Sequence, residues 1–428
     1  MPCSQRQQPH QQGKVQGMER KNMSAMQMNM GQSPKTFIQE ITHHGTSGTS
    51  AEPNSTPMAM LMTIKGTWML MFHGEAFLNV LQQSGLRGSD KVFSTNWFMP
   101  MARRELGPGT FTLRTMLSFE PGTVTKRFYP ELFQQGETAF GEPIVDGQHP
   151  HDFIMELAAL YDLKLGENGL LSFYFAPMGD PAMRPTAYPH RASASEDPIA
   201  ALGHHLEDST HIADDVITTG LTYKIARFEG SGFHGREPDE FRWDIDSGKI
   251  DSWSIRATVN PAQNWSAQYS FAHLTSPEAL RPDEDIQRMT ASVMYNRTLA
   301  NGNWASTLLW GRNRSLETGL VWNGYLAEST LRFAERNYIW GRIENVDRTS
   351  ELPFRNIPKP PNFQENIIGR VQADTMGYDR DFMLPHLAIA PGAQVTLYST
   401  PNTLKAQYGS YPVGAVAFLR VRPIGKQH

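Results

Sequence analysis

Three scarcities narrow the field before any motif is read. A single cysteine, Cys3, rules out an internal disulfide. No apolar run reaches the roughly 18 residues that a membrane-crossing helix needs. Basic charge is not in surplus, because 39 Lys and Arg face 43 Asp and Glu for a net charge of −4, so nucleic acid is not an expected partner. Residues 1–21 also lack the apolar core of a secretory signal peptide, and Cys3 lacks the apolar stretch that precedes a lipoprotein anchor. Only 39% of the chain is hydrophobic. A lipid-facing barrel tolerates that figure, since only every second strand residue must be apolar.

What is present is period-two alternation. Phe111, Leu113, Leu117 and Phe119 share one parity, and Thr112, Arg114, Met116 and Ser118 the other. Tyr325, Ala327, Leu331 and Phe333 oppose Glu328, Thr330 and Arg332 in the same way. Ile367, Val371 and Ala373 oppose Arg370, Gln372 and Asp374, which reads as a lipid face against a wet one. Ala415, Ala417, Leu419 and Val421 oppose Arg420 and Arg422. About sixteen such stretches, within a range of fourteen to eighteen, follow Trp68. Compact Gly-, Asn- and Pro-rich turns (106–109, 166–169, 260–263, 300–303, 335–337) alternate with long connectors (121–150, 177–214, 237–250, 275–285, 348–364). That rhythm predicts an all-β fold, a transmembrane up-and-down antiparallel β-barrel with long extracellular loops and short periplasmic turns. A soluble propeller or sandwich does not predict the long and short alternation. Trp97, Trp253, Trp265, Trp304, Trp310 and Trp340 are candidates for interfacial girdles, with ordinary packing as the alternative.

Two regions are expected: a disordered periplasmic extension over 1–56, rich in Met, His and Gln, and the barrel over 57–428. Met18, Met23, Met26, Met28 and Met30 stand in a polar setting, followed by His43 and His44 and then Met58, Met60 and Met62. Thioethers are ligands that Cu(I) prefers. This stretch resembles the Met-rich tails of outer-membrane copper-resistance proteins of the B type; a low-complexity tail with incidental methionines is the alternative.

Histidines form a second signal. His149 and His151 with Asp152 enter the fourth strand, His204, His205, Asp208 and His211 approach the sixth, and His234 leaves the seventh. Neighbouring strand ends bring these phrases to one mouth, where imidazole and carboxylate suit a divalent transition metal. Copper or zinc is the candidate ion. The competing readings are a hydrogen-bonded network that pins the loops, and a surface hydrolase built from Ser209, Asp208 and a histidine, for which no nucleophile-elbow motif exists.

Inward parity assigns Arg114, Glu156, Asp162, Lys164, Glu328, Arg332, Arg342, Glu344, Arg370, Asp374, Arg420 and Arg422 to the lumen. Mixed signs predict an aqueous pore of weak ion selectivity, or a plugged lumen in which the same charges are paired. The phrases Asp146-Gly147-Gln148-His149-Pro150-His151-Asp152-Phe153 and Gly235-Arg236-Glu237-Pro238-Asp239-Glu240 resemble a group of porin-like outer-membrane proteins of Gram-negative bacteria with a Met/His-rich start, over residues 68–423. The resemblance implies a fold and a bacterial outer-membrane location, with outer-membrane lipid, lipopolysaccharide and the barrel-insertion machinery as partners and a homotrimer as the usual assembly. The expected function is a channel for small solutes or ions rather than an enzyme, with copper or zinc handling as the alternative.

Overall fold

The computed structural model describes residues 33–43, 45–58, 60–355, 357, 360 and 363–424. Eighteen strands share one antiparallel sheet; Leu61–Lys65 and Phe382–Leu384 are short flanking pieces, and the rest form a closed barrel of sixteen. The barrel strands are β1 (Trp68–Gln83), β2 (Lys91–Leu106), β3 (Gly109–Leu117), β4 (Ile154–Leu165), β5 (Gly169–Gly179) and β6 (Ala213–Tyr223). Then follow β7 (Ala226–His234), β8 (Ser252–Ala262), β9 (Trp265–Leu274), β10 (Ile286–Leu299) and β11 (Gly302–Ser315). The set ends with β12 (Val321–Phe333), β13 (Asn337–Thr349), β14 (Ile367–Arg380), β15 (Leu387–Ser399) and β16 (Val413–Pro423). Each pairs with its sequence neighbour, and β16 closes on β1 in the register Ala76↔Val421 to Gln83↔Gly414. Closure leaves none of the sixteen barrel strands at an open edge, which is the condition for strands to cross lipid.

Outward positions carry a belt of exposed apolar side chains, among them Leu113, Phe173, Ile255, Leu308, Ile343 and Leu397. In water such a surface would be a large aggregation site; against acyl chains it is the required one. Trp265, Tyr295 and Trp304 meet in tilted and edge-on contacts beside the short turns, with centroids 4.7 and 5.3 Å apart, and extend the belt as an aromatic patch. Trp253 also faces out. Trp340 instead points inward among buried aromatics, and Trp97 sits on the inner face, so neither belongs to a girdle.

The lumen is filled by the chain itself. Nearly all of the loop 180–212 is buried, and much of 118–153 folds in beside it. Leu132, Phe133, Leu202 and Leu206 from these two loops pack against the wall residues Val346, Val371, Ala373 and Tyr398. The short helix His204–Glu207 lies on β11 and β12 where Gly311 and Gly324 are Cα partners. A Cβ on Gly311 would stand 2.2 Å from the Leu206 carbonyl oxygen, so the absence of a side chain there makes the seat.

The expected extension over 1–56 is corrected for its described part. A helix, Phe37–His43, packs Phe37 and Ile41 on Leu170, and residues 45–56 then run inside the barrel. Arg114 Nη2 donates to the Gly48 carbonyl at 2.5 Å, Gly48 N donates to Glu156 at 2.9 Å, and Asn260 Nδ2 donates to the Glu52 carbonyl at 2.8 Å. Gly48 adopts φ +60°, and a Cβ there would meet Asp180 at 2.6 Å. The Ser, Thr, Gly and Asn of this segment could not build an apolar core, but they supply the hydrogen bonds that inward charges need. Met23, Met26, Met28 and Met30 lie outside the described residues.

Candidate metal site at the barrel mouth

The strands deliver their loops to one end, and five of the histidines named above meet there. His149 Nε2 lies 2.9 Å from Glu137 Oε1, on the hairpin strand Glu137–Ala139, and His205 Nδ1 lies 3.3 Å from the same oxygen. One ligand atom from each of Glu137, His149 and His205 falls within 4.8 Å of the others. From His205 the rings continue to His204 at 5.2 Å, to His211 at a further 5.2 Å and to His151 at 5.1 Å. His204 Nδ1 stands 2.5 Å from Asp208 Oδ1, His211 Nδ1 donates to the Asp208 carbonyl at 3.0 Å, and His151 Nδ1 lies 3.0 Å from Glu120.

The electrostatics separate these groups. Burial pushes the Glu137 carboxyl up, but the His149 ring beside it, with His205 and Arg242, brings it down to about 2. Burial holds His205 well below the ordinary imidazole value against the pull of Glu137. His211 is also held well down, by burial first and then by His151 and His204. For His151 burial works downward, yet Glu120 more than compensates and its pKa is raised. The lowered value of His205 favours the neutral imidazole and the lowered value of Glu137 the ionised carboxylate, the forms in which each binds a metal. Neither ring nitrogen of His205, and not His211 Nε2, has a hydrogen-bond partner of good geometry among the described residues. A buried polar atom left so costs roughly 1–3 kcal/mol unless something else meets it.

Two residues of the expected metal set lie apart. His234 is bonded through Nδ1 to the Lys249 carbonyl at 2.8 Å, and Asp152 faces Arg242 at 3.5 Å. The hydrolase arrangement is not assembled: Ser209 Oγ accepts from Arg288 at 2.6 Å and donates to the His205 carbonyl. Glu137, Glu120 and Arg191, which complete this region, carry no motif; they enter only through loops folded back into the barrel.

Most of the expected lumen charges do face inward, but they are paired rather than solvated. Arg114 binds Glu156 at 2.7 Å. Arg342 binds Asp197 at 3.2 Å and Glu328 at 3.4 Å, and Glu344 accepts from Gly203 N at 3.0 Å. Arg420 is ringed by Glu75, Asp379, Asp381 and Glu196, with Arg422 against Glu196 and Asp381. Asp162 accepts from Ser172 Oγ at 2.6 Å, Arg332 lines an interior cavity, and Lys164 is exposed at the rim. Arg370 and Asp374 are corrected: both are exposed on the outer face, Arg370 bound to Asp347 at 2.6 Å and lying over Tyr325. The apolar parity of β14, Val371 and Ala373, turns inward because apolar plug loops await it.

Comparison with solved structures bears on the fold. OprB of Pseudomonas putida aligns with a TM-score of 0.50 at 10% identity, over 83% of this chain and 94% of that one. The likeness is one of fold, a closed antiparallel barrel of sixteen strands. OmpF of Salmonella typhi aligns at 0.49 and 10% identity over 85% and 100% of the two chains, and an anion-selective porin of Comamonas acidovorans at 0.47 and 10% over 83% and 99%. No family model matches the chain, and no curated protein does.

Proposed function

We propose that this chain is a porin-like barrel of the bacterial outer membrane whose lumen is closed by its own loops and whose mouth binds a divalent transition-metal ion. The observation that carries the reading is the single carboxylate oxygen of Glu137 between His149 Nε2 and His205 Nδ1. Two imidazoles and a carboxylate form a donor set suited to Zn²⁺ or Cu²⁺, with a further position left for water or cargo. The exposed apolar belt supports residence in outer-membrane lipid, and insertion by the barrel machinery and assembly as a homotrimer go with that reading.

Titration of the full-length barrel in detergent with Zn²⁺ and with Cu²⁺, beside H149A/H205A, tests it. The double variant is expected to bind at least tenfold more weakly while keeping its heat-modifiable gel mobility. Equal affinity would remove the mouth site.

Passage of small ions is a second reading, favoured by the mixed charges of the lumen and an interior cavity of about 380 Å³. The paired charges and buried loops support a gated, low-conductance path rather than free diffusion.

A further inference from the structure

Eight buried methionines form one cluster, seven of them on β1 to β5 and Met60 on the entering chain, with Ile212 as the other buried member among the described residues. Packing alone accounts for some methionine, which fills irregular gaps well. It does not account for what stands beside the cluster. His73 Nε2 lies 3.2 Å from Met99 Sδ, and His190 Nε2, from the plug loop, lies 3.3 Å from Met116 Sδ. The two imidazole rings are 5.9 Å apart, and both contact the ring of Trp97. A thioether is a weak acceptor for an imidazole N–H. A nitrogen and a sulfur bound to one ion at about 2.0 and 2.3 Å stand roughly 3.2–3.5 Å apart at bond angles of about 95–110°. Both observed pairs fall at the short end of that window.

The two imidazoles are also reachable. His73, Trp97 and His190 line the cavity of about 380 Å³ together with Met58 and Met60, and its lining runs on to Glu335, Asp381 and Ile424, at the short-turn end of the barrel. Residue 34 meets the turn residue Gln263 at that same end. The Met-rich stretch 18–30 immediately precedes it in sequence.

We infer that His73, Met99, Met116 and His190 bind a soft monovalent metal ion, Cu(I) or Ag(I), inside the barrel. Soft thioether donors select such ions over Zn²⁺, whereas the Glu137 group at the mouth offers only nitrogen and oxygen. The inner site thus differs from the mouth site in residues, in ion and in the end of the barrel from which it fills. Met60 and Met58, on the entering chain, supply further sulfur at the cavity edge.

Ag(I) is the probe, because it does not change oxidation state during the measurement. The full-length protein is used with Cys3 replaced by Ser and with Met18, Met23, Met26, Met28 and Met30 replaced by Leu, so that sulfur in the tail does not compete. Equilibrium dialysis should find one tightly held Ag(I), and X-ray absorption should report mixed sulfur and nitrogen ligation. M99L/M116L, which conserves side-chain volume, should weaken binding at least tenfold; His73→Gln is the second variant, with gel mobility before and after boiling as the check on folding. H149A/H205A should leave Ag(I) binding unchanged, so this site and the mouth site fail independently. Absence of tight Ag(I) in the Leu-substituted tail background, or unchanged affinity in both inner-site variants, would overturn the assignment.

Discussion

Arg191 holds the plug loop 180–212 to the barrel wall, and its removal should open the lumen. Its Nε lies 2.6 Å from Glu328 on β12, while Nη1 lies 3.1 Å from Asp208 and donates to the Thr186 carbonyl at 3.0 Å. Removing one partner of a buried pair costs about 3–5 kcal/mol, because the other charge stays desolvated. Here each anion keeps a companion. Glu328 still accepts from Ser193 at 2.8 Å and faces Arg342, and Asp208 still faces His204. The cost should therefore sit near the lower figure, about 3 kcal/mol for Arg191→Leu, and it falls on the closed state because an expelled loop returns both carboxylates to water. That shifts the closed-to-open ratio by on the order of a hundredfold. Planar-bilayer recording of refolded protein is the assay: wild type should show rare, brief openings and the variant an open probability about two orders of magnitude higher, with the loop newly cut by protease. An open probability within threefold of wild type, in a variant that still runs as a folded barrel, would refute the pinning role.

Three other outcomes follow from the same contacts. Gly311→Ala places a methyl group against the Leu206 carbonyl, so the helix His204–Glu207 must leave its seat; conductance should rise while the barrel stays folded, and unchanged conductance would contradict the close approach. Acid should loosen the plug: His204, His205 and His211 have lowered values, so their stabilisation is complete above the ordinary imidazole value of 6.5 and is lost as pH falls below it. His151, raised, opposes them only near and above 6.5, because below that value it is charged whether the plug is in or out; an open probability that fails to rise from pH 7 to pH 5 would exclude this. Ile255→Arg puts a charge on the apolar belt and should cost about 2–4 kcal/mol near the bilayer midplane, read from denaturant unfolding out of lipid vesicles, whereas a surface that faces water would lose almost nothing.

The barrel was legible because closure and lipid impose a two-residue period that no loop obscures. Arg114, Glu328, Arg342 and Arg420 followed from parity alone. Parity failed at β14, where the rule that the apolar side meets lipid assumes a wet lumen; with Leu132 and Leu202 inside, Val371 and Ala373 have an apolar partner on either side, and Arg370 finds Asp347 outside. The histidine phrases met because strand ends are neighbours in a barrel. Glu137 was not legible, since its place depends on how the loop 118–153 folds back, and nothing in the local sequence encodes that return.

The inner methionines had a readable signal. Met69 and Met71 on β1, and Met99 and Met101 on β2, repeat at the strand period on the same face as Glu75 and Arg103. Methionine on the charged parity of a barrel is anomalous under either simple reading: a wet pore gains nothing from it, and lipid never sees it. A filled lumen removes half of the anomaly by making the inner face a core. The other half remains, because a core built for packing would draw on Leu and Ile, whose fixed rotamers order it better, and would not spend two imidazoles on thioether sulfur. The same fold that closes the pore to bulk solute thus leaves soft donors along its inner wall, and a closed lumen with ligands inside is a different device from an open one with charges inside.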